Sequence, residues 1–259
     1  MAITDPPMRA DGSSAIGILT YHSLDSSGSL VSTAPRRFAD QIGCIADLGY
    51  CGITLREAVA HRAATGSWPP QRVVLTFDDG YANVYEIAWP TLTRYGFTAT
   101  LFLVTQHMGG WNDWEPPPAR LGARAMLSWR QVAELSAAGM EIAAHTRTHR
   151  NLLELSAAAA ADEIVASRKD IESHLQQPVE SFAYPFGRKS AAVEEIVRRE
   201  FRAACTTVLC RARHDVLTRL PRIDAYYLRS PDLLRRLLNG QLDRYLMFRR
   251  WGRAVRRVL

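Results

Sequence analysis

The chain has 259 residues, of which 47% are hydrophobic and 22% charged, values that exclude a wholly disordered chain. This length suffices for one large α/β domain with its own core, so no disulfide framework or structural metal is needed to hold it together. The net charge of +6 is unevenly spread: residues 202–259 hold 14 Arg, four Asp and no Lys or Glu, a net +10, which leaves −4 on the first 201 residues. Such a distribution argues against a nucleic-acid partner and toward a basic C-terminal element facing an anionic surface.

No stretch approaches 18 consecutive apolar residues, so no transmembrane helix is expected. Residues 1–14 form a polar tail with Asp5, Pro6, Pro7 and Asp11, without the basic start and apolar run of a secretory signal. Taken as written, this start implies a cytoplasmic protein, with contact at a membrane periphery left open. Cys44, Cys51, Cys205 and Cys210 form no CxxC pair and are expected as reduced thiols.

In chain order, strands alternate with helices. Residues 15–21 are a short apolar strand ending at His22. Residues 35–48 carry Phe38, Ile42, Ile45 and Leu48 at helical spacing and stop at Gly49. Residues 55–64 are a second helix, before a turn at 66–70. Residues 72–77 are β-branched and apolar, the pattern of a buried parallel strand. A helix over 81–95 closes at Gly96, and 98–104 is the next buried strand. A long loop, 109–125, holds Trp111, Trp114 and three prolines. Ser128 caps a helix reaching Ala138. Residues 140–144 are a strand ending at His145, and 154–176 a long Ala-rich helix. Strand 181–184, helix 190–200 and strand 202–207 follow, then helical sequence over 231–259 broken near Asn239-Gly240. About seven strand–helix units predict an α/β fold: a parallel sheet closed into a distorted (β/α) barrel over residues 15–230.

Three polar clusters sit where strands end: His22, Asp78-Asp79, and His145 with His149. In parallel barrels that rim is where active sites are built. Adjacent carboxylates at the end of a buried strand repel, so a cation is expected beside them. Alone, Asp78-Asp79-Gly80 also reads as a turn or helix cap. An offset of four places His145 and His149 on one face, and two imidazoles with a carboxylate make a facial metal site with open positions. His61, His107 and His174 have no partner by spacing. Trp111 and Trp114 read either as a sugar-stacking wall or as indoles packed under their loop.

Thr76-Phe77-Asp78-Asp79-Gly80 and His145-Thr146-Arg147-Thr148-His149 resemble the first two motifs of the polysaccharide deacetylase domain (NodB homology, carbohydrate esterase family 4). Phe182-Ala183-Tyr184-Pro185-Phe186-Gly187 resembles the third, and Leu19-Thr20-Tyr21-His22 resembles the poly-N-acetylglucosamine deacetylase subgroup of biofilm systems. The resemblance implies that Asp78 is the general base. It implies that Asp79, His145 and His149 hold a divalent metal, zinc before nickel, cobalt or iron. The Tyr184-Pro185-Phe186 turn would supply an oxyanion N–H. Two departures matter. The usual C-terminal Leu-x-His acid is absent, the last histidine being His214, so the resemblance to the Tyr-His subgroup makes His22 the acid. Ala183 replaces the arginine that positions the base in many members, and Arg222 is the candidate substitute.

The implied activity is removal of acetyl from N-acetylated amino sugars of a glycan, a glycan precursor or a glycolipid. The alternatives are deacylation of a non-glycan amide or an O-acetyl ester, or a non-catalytic glycan-binding module. In the 231–259 segment Phe248, Trp251, Val255 and Val258 form a stripe amid Arg249, Arg250, Arg253, Arg256 and Arg257. That stripe either packs back on the barrel or docks on anionic lipid.

Overall fold

The β-branched run at residues 72–77 forms the central strand, because every side chain of Val73–Phe77 is buried and the backbone pairs on both sides. The computed structural model describes residues 15–114 and 117–256; the 1–14 tail, Val258 and the side chain of Val255 lie outside the described residues. Strands β1 (Ile18–Tyr21), β2 (Cys51–Ile53), β3 (Arg72–Phe77), β4 (Thr100–Leu103), β5 (Glu141–Ala144), β6 (Ser181–Ala183), β7 (Ala203–Cys205) and β8 (Ile223–Asp224) are all parallel where they pair. Their order is β7-β6-β5-β4-β3-β1-β8, and β2 joins β3 below β4. An irregular bridge from Cys205 to Leu220 links β7 to the segment that leads into β8. The expected distorted barrel is what forms, with β2 as an additional strand too short to register in the sequence.

Period-two alternation divides the strand residues between two layers. Ile18, Val74, Phe102, Ala143, Ala183 and Cys205 fill the barrel interior. Leu19, Leu75, Phe77, Leu101 and Phe182 face the outer helices α1 (Pro35–Asp47), α4 (Trp129–Ala137), α5 (Ala157–Leu175) and α6 (Ala191–Glu200). Helix α2 (Leu55–Thr65) is capped by Thr54 in a reciprocal bond with Glu57. Phe38, Ile42 and Ile45 of α1 are fully buried, and each contributes about 1.5–3 kcal/mol.

Two further elements differ from the sequence expectation. The helix expected over 81–95 is a π-turn, Val84–Ala88, running into α3 (Trp89–Arg94). Pro90 has no N–H to give, and the Trp89 N–H donates to Val84 O across a widened turn. At the C-terminus α7 (Pro231–Leu238), α8 (Asp243–Arg256) and the link between them hold the barrel through Leu234, Leu237, Leu242 and Leu246. Phe248 and Trp251 do not pack back on the barrel: they are 75% and 67% exposed. No helix of the described residues is long and apolar enough to cross a membrane.

Candidate active site

The β1–β3 register, Tyr21 beside Phe77, places the next residues of each strand side by side, and the Asp78 N–H donates to Tyr21 O at 2.9 Å. His22 Nε2 therefore stands 3.8 Å from Asp78 Oδ2. The cation demanded by the paired carboxylates is Arg222. Its Nη1 and Nη2 donate to Asp78 Oδ1 and Oδ2 at 2.6 and 2.7 Å, and both residues are only 3% exposed. Arg222 Nε also donates to Thr206 O at 3.1 Å. Burial alone would raise the Asp78 pKa, but Arg222, with His145 and His22, holds it well below the usual carboxylate range.

After Asp78 the backbone turns left-handed, at φ 76° for Asp79 and 94° for Gly80. A Cβ on Gly80 would come within 2.9 Å of Leu103 and Met108. The turn sends Asp79 to the other side of the rim, where Oδ1 lies 3.6 Å from His145 Nε2 and 3.4 Å from His149 Nε2. His145 Nδ1 donates to Ala183 O at 2.7 Å, which leaves the Nε2 lone pair bare toward Asp79. His149 sits among Trp114, Phe186 and His145, with ring centroids 4.9, 4.8 and 5.0 Å away. Burial pushes its pKa down to about 4, against the pull of Asp79, so the ring is neutral and its nitrogen can coordinate.

These residues fit a divalent cation. Asp79 Oδ1 is buried with no hydrogen-bond partner, which is costly for a carboxylate unless a cation meets it. The three ligand atoms lie within 4.8 Å of one another. Ligands each about 2.1 Å from one ion stand at most about 4.2 Å apart, and the 3.4 and 3.6 Å separations fall inside that limit. Three protein donors leave coordination positions open, as in catalytic sites.

The loop between the histidines is held from outside the rim. Glu163 of α5 accepts from the Arg147 and Thr148 N–H groups at 2.9 and 3.0 Å and from Thr148 Oγ1 at 2.6 Å. Sequence reading missed Glu163 because nothing in a polar helix position marks it. It also missed Glu141, buried inside the barrel below the site and accepting from Thr100, Ser181 and the Arg56 N–H.

The remaining candidates divide. Pro185 and Phe186 stay at the rim, with Phe186 left-handed at φ 58° against His149. Tyr184 does not join them: its ring is in the outer core and its hydroxyl donates to Thr218 O at 3.1 Å, because an even strand position faces the helices. Trp114 is buried against His149, whereas Trp111 is exposed. Beside His149 opens a cleft of about 530 Å³, with Trp114 and Phe186 in its wall.

A family model for polysaccharide deacetylase matches residues 65–200, more than half of the chain. The chain belongs to the polysaccharide deacetylase family. The matched stretch of this family member covers both aspartates, both histidines and the Pro185 turn, but neither His22 nor Arg222. Among curated relatives, the Bacillus subtilis chain YxkH, assigned to the polysaccharide deacetylases, is 29% identical over 171 residues, 66% of this chain and 56% of that one. The Staphylococcus aureus poly-β-1,6-N-acetyl-D-glucosamine N-deacetylase is 26% identical over 165 residues, 60% of this chain and 54% of that one. The chain thus spans about half the length of the curated relatives it matches. The Streptococcus pyogenes deacetylase PplD, solved with acetate, superposes with a TM-score of 0.74 at 26% identity, over 87% of this chain and 97% of that one. IcaB from Ammonifex degensii shares the fold, with a TM-score of 0.71 at 24% identity over 88% and 97% of the two chains.

Proposed function

We propose that this family member removes acetyl groups from N-acetylated amino sugars of a polysaccharide or glycan precursor, with a divalent metal held by Asp79, His145 and His149. Its main support is the unpartnered Asp79 Oδ1 between two bare imidazole nitrogens, one residue from a carboxylate locked by Arg222. The bound ion would supply Lewis acidity to the acetamide carbonyl. Asp78, kept ionised and fixed in orientation by Arg222, takes the proton of the attacking water. Phe186, in its left-handed turn beside His149, offers a backbone N–H to the tetrahedral oxyanion. His22 gives a proton to the departing nitrogen, since an amine anion is a very poor leaving group.

The test is acetate release from N-acetylglucosamine oligomers by protein that has been stripped of metal and reloaded, with zinc, nickel, cobalt and iron compared. Elemental analysis should give about one ion per chain, lost in His145→Ala. Release from O-acetyl esters or non-glycan amides alone would move the substrate class, and full metal content in His145→Ala would overturn the site. A membrane contact belongs to the same reading, favoured by one observation: the outward Phe248 and Trp251 lie among exposed Arg244 and Arg250 on α8.

A further inference from the structure

The cleft beside His149 carries a charge pattern that acetyl removal does not itself require. Arg150, directly after His149, and Arg188, directly after Gly187, line it together with Asn151, Glu154, Trp114 and Phe186. Both arginines are exposed, and among the described residues neither guanidinium has a hydrogen-bond or ion-pair partner. Their neighbours in sequence are tied down: Arg147 pairs with Asp170, and Lys189 with Glu194. The carboxylate of Glu154 is engaged by Asn151 Nδ2 at 2.5 Å. Two unpaired guanidiniums therefore line the same cleft as Trp114 and Phe186, the two rings that pack against His149.

We propose that this cleft selects N-acetylated amino sugars that carry an anionic group, a phosphate or a carboxylate, near the acetamide. The proposal rests on the deacetylase reading and names the substrate class of that same site. A guanidinium binds either anion through two parallel N–H bonds, while the exposed Phe186 gives the sugar ring an apolar face. A neutral glycan draws nothing from the two charges. The free amine left by acetyl removal is cationic and is repelled by them, which favours product release.

The experiment compares kcat/KM for acetate release by the metal-loaded protein from methyl N-acetylglucosaminide, N-acetylglucosamine 1-phosphate and N-acetylmuramic acid. An anionic probe should be preferred over the neutral one by about tenfold, on the scale of one charge-assisted hydrogen bond. The ratio should fall with added salt and approach one in Arg150→Gln/Arg188→Gln. The phosphate and carboxylate arms tell which anion is read. No preference in the wild type, or an unchanged ratio in the double variant, overturns the proposal. If no probe loses acetate, the deacetylase reading fails by itself, and calorimetry then decides the cleft. Binding of N-acetylglucosamine 1-phosphate that is lost in the double variant supports it, and absence of binding to the wild type overturns it.

Discussion

Replacing Arg222 with Met should cost the fold about 3–5 kcal/mol, the scale on which removing one partner of a buried ion pair destabilises a protein. The guanidinium and the Asp78 carboxylate are each 3% exposed and share bonds of 2.6 and 2.7 Å, so water cannot take the place of the lost cation. The cost is a large part of the roughly 5–15 kcal/mol that keeps a domain folded. Its origin is the charge left on Asp78, so Arg222→Met with Asp78→Asn should be more stable than Arg222→Met alone. The pH dependence has a definite sign. The folded pKa of Asp78 lies below its ordinary value of 3.8, so its stabilisation is present above that pH and is lost as the pH falls toward the folded value. In Arg222→Met the largest opposing charge is gone and burial raises that pKa against only His145 and His22, so the stability gap to the wild type should widen from pH 4 to pH 7. Denaturant unfolding of the wild type, both single variants and the double variant at several pH values gives all these quantities. A loss below about 1 kcal/mol for Arg222→Met, or strictly additive costs in the double variant, would refute the pairing as the source.

Asp78→Asn should keep the metal and lose about 10²–10⁴-fold in turnover, read by elemental analysis beside acetate release. His22→Ala should lose far more rate on an amide than on an activated aryl acetate, whose leaving group departs without a proton. Equal losses on both would make His22 a positioning residue. Glu141 is buried and its pKa is raised by that burial, so its contribution is present below about pH 4.5 and is lost as pH rises. Glu141→Gln should therefore gain in Tm relative to the wild type between pH 4.5 and 7.5, and a shrinking difference would contradict this. Phe248→Ser with Trp251→Ser should weaken sedimentation with phosphatidylglycerol vesicles and leave phosphatidylcholine vesicles unaffected, while unchanged sedimentation would remove the membrane contact.

Much of the rim was legible because parallel strands place their chemistry at one end. Asp78-Asp79 and His145 each follow a run of buried strand residues, and the order of the elements brings them together. Arg222 was legible through a gap: Ala183 left Asp78 without the arginine of the family pattern, and Arg222 was the candidate substitute. What escaped has no local mark. Glu163 and Glu141 look like ordinary helix and strand-edge acids until the long-range contacts to Arg147, Thr148, Thr100 and Ser181 exist. For the stripe of Phe248 and Trp251 the sequence left two directions open. Helical spacing gives a face but not its direction, and Leu242 and Leu246, one turn apart, face the barrel instead.

Among the described residues, four of the seven non-glycine residues with positive φ, Asp79, Thr146, His149 and Phe186, stand at this single rim. Left-handed geometry costs such residues about 1–3 kcal/mol each, so the site holds a reserve of strain that the rest of the barrel must outweigh. Natural drift that abandons the chemistry therefore has an immediate reward. A glycine or asparagine at Asp79 would relax the backbone and remove a buried unpartnered carboxylate, raising thermal tolerance while silencing the proposed metal site. Heat-resistant descendants of this chain should be screened for activity first, because one route to a tougher barrel runs through the loss of a proposed metal ligand.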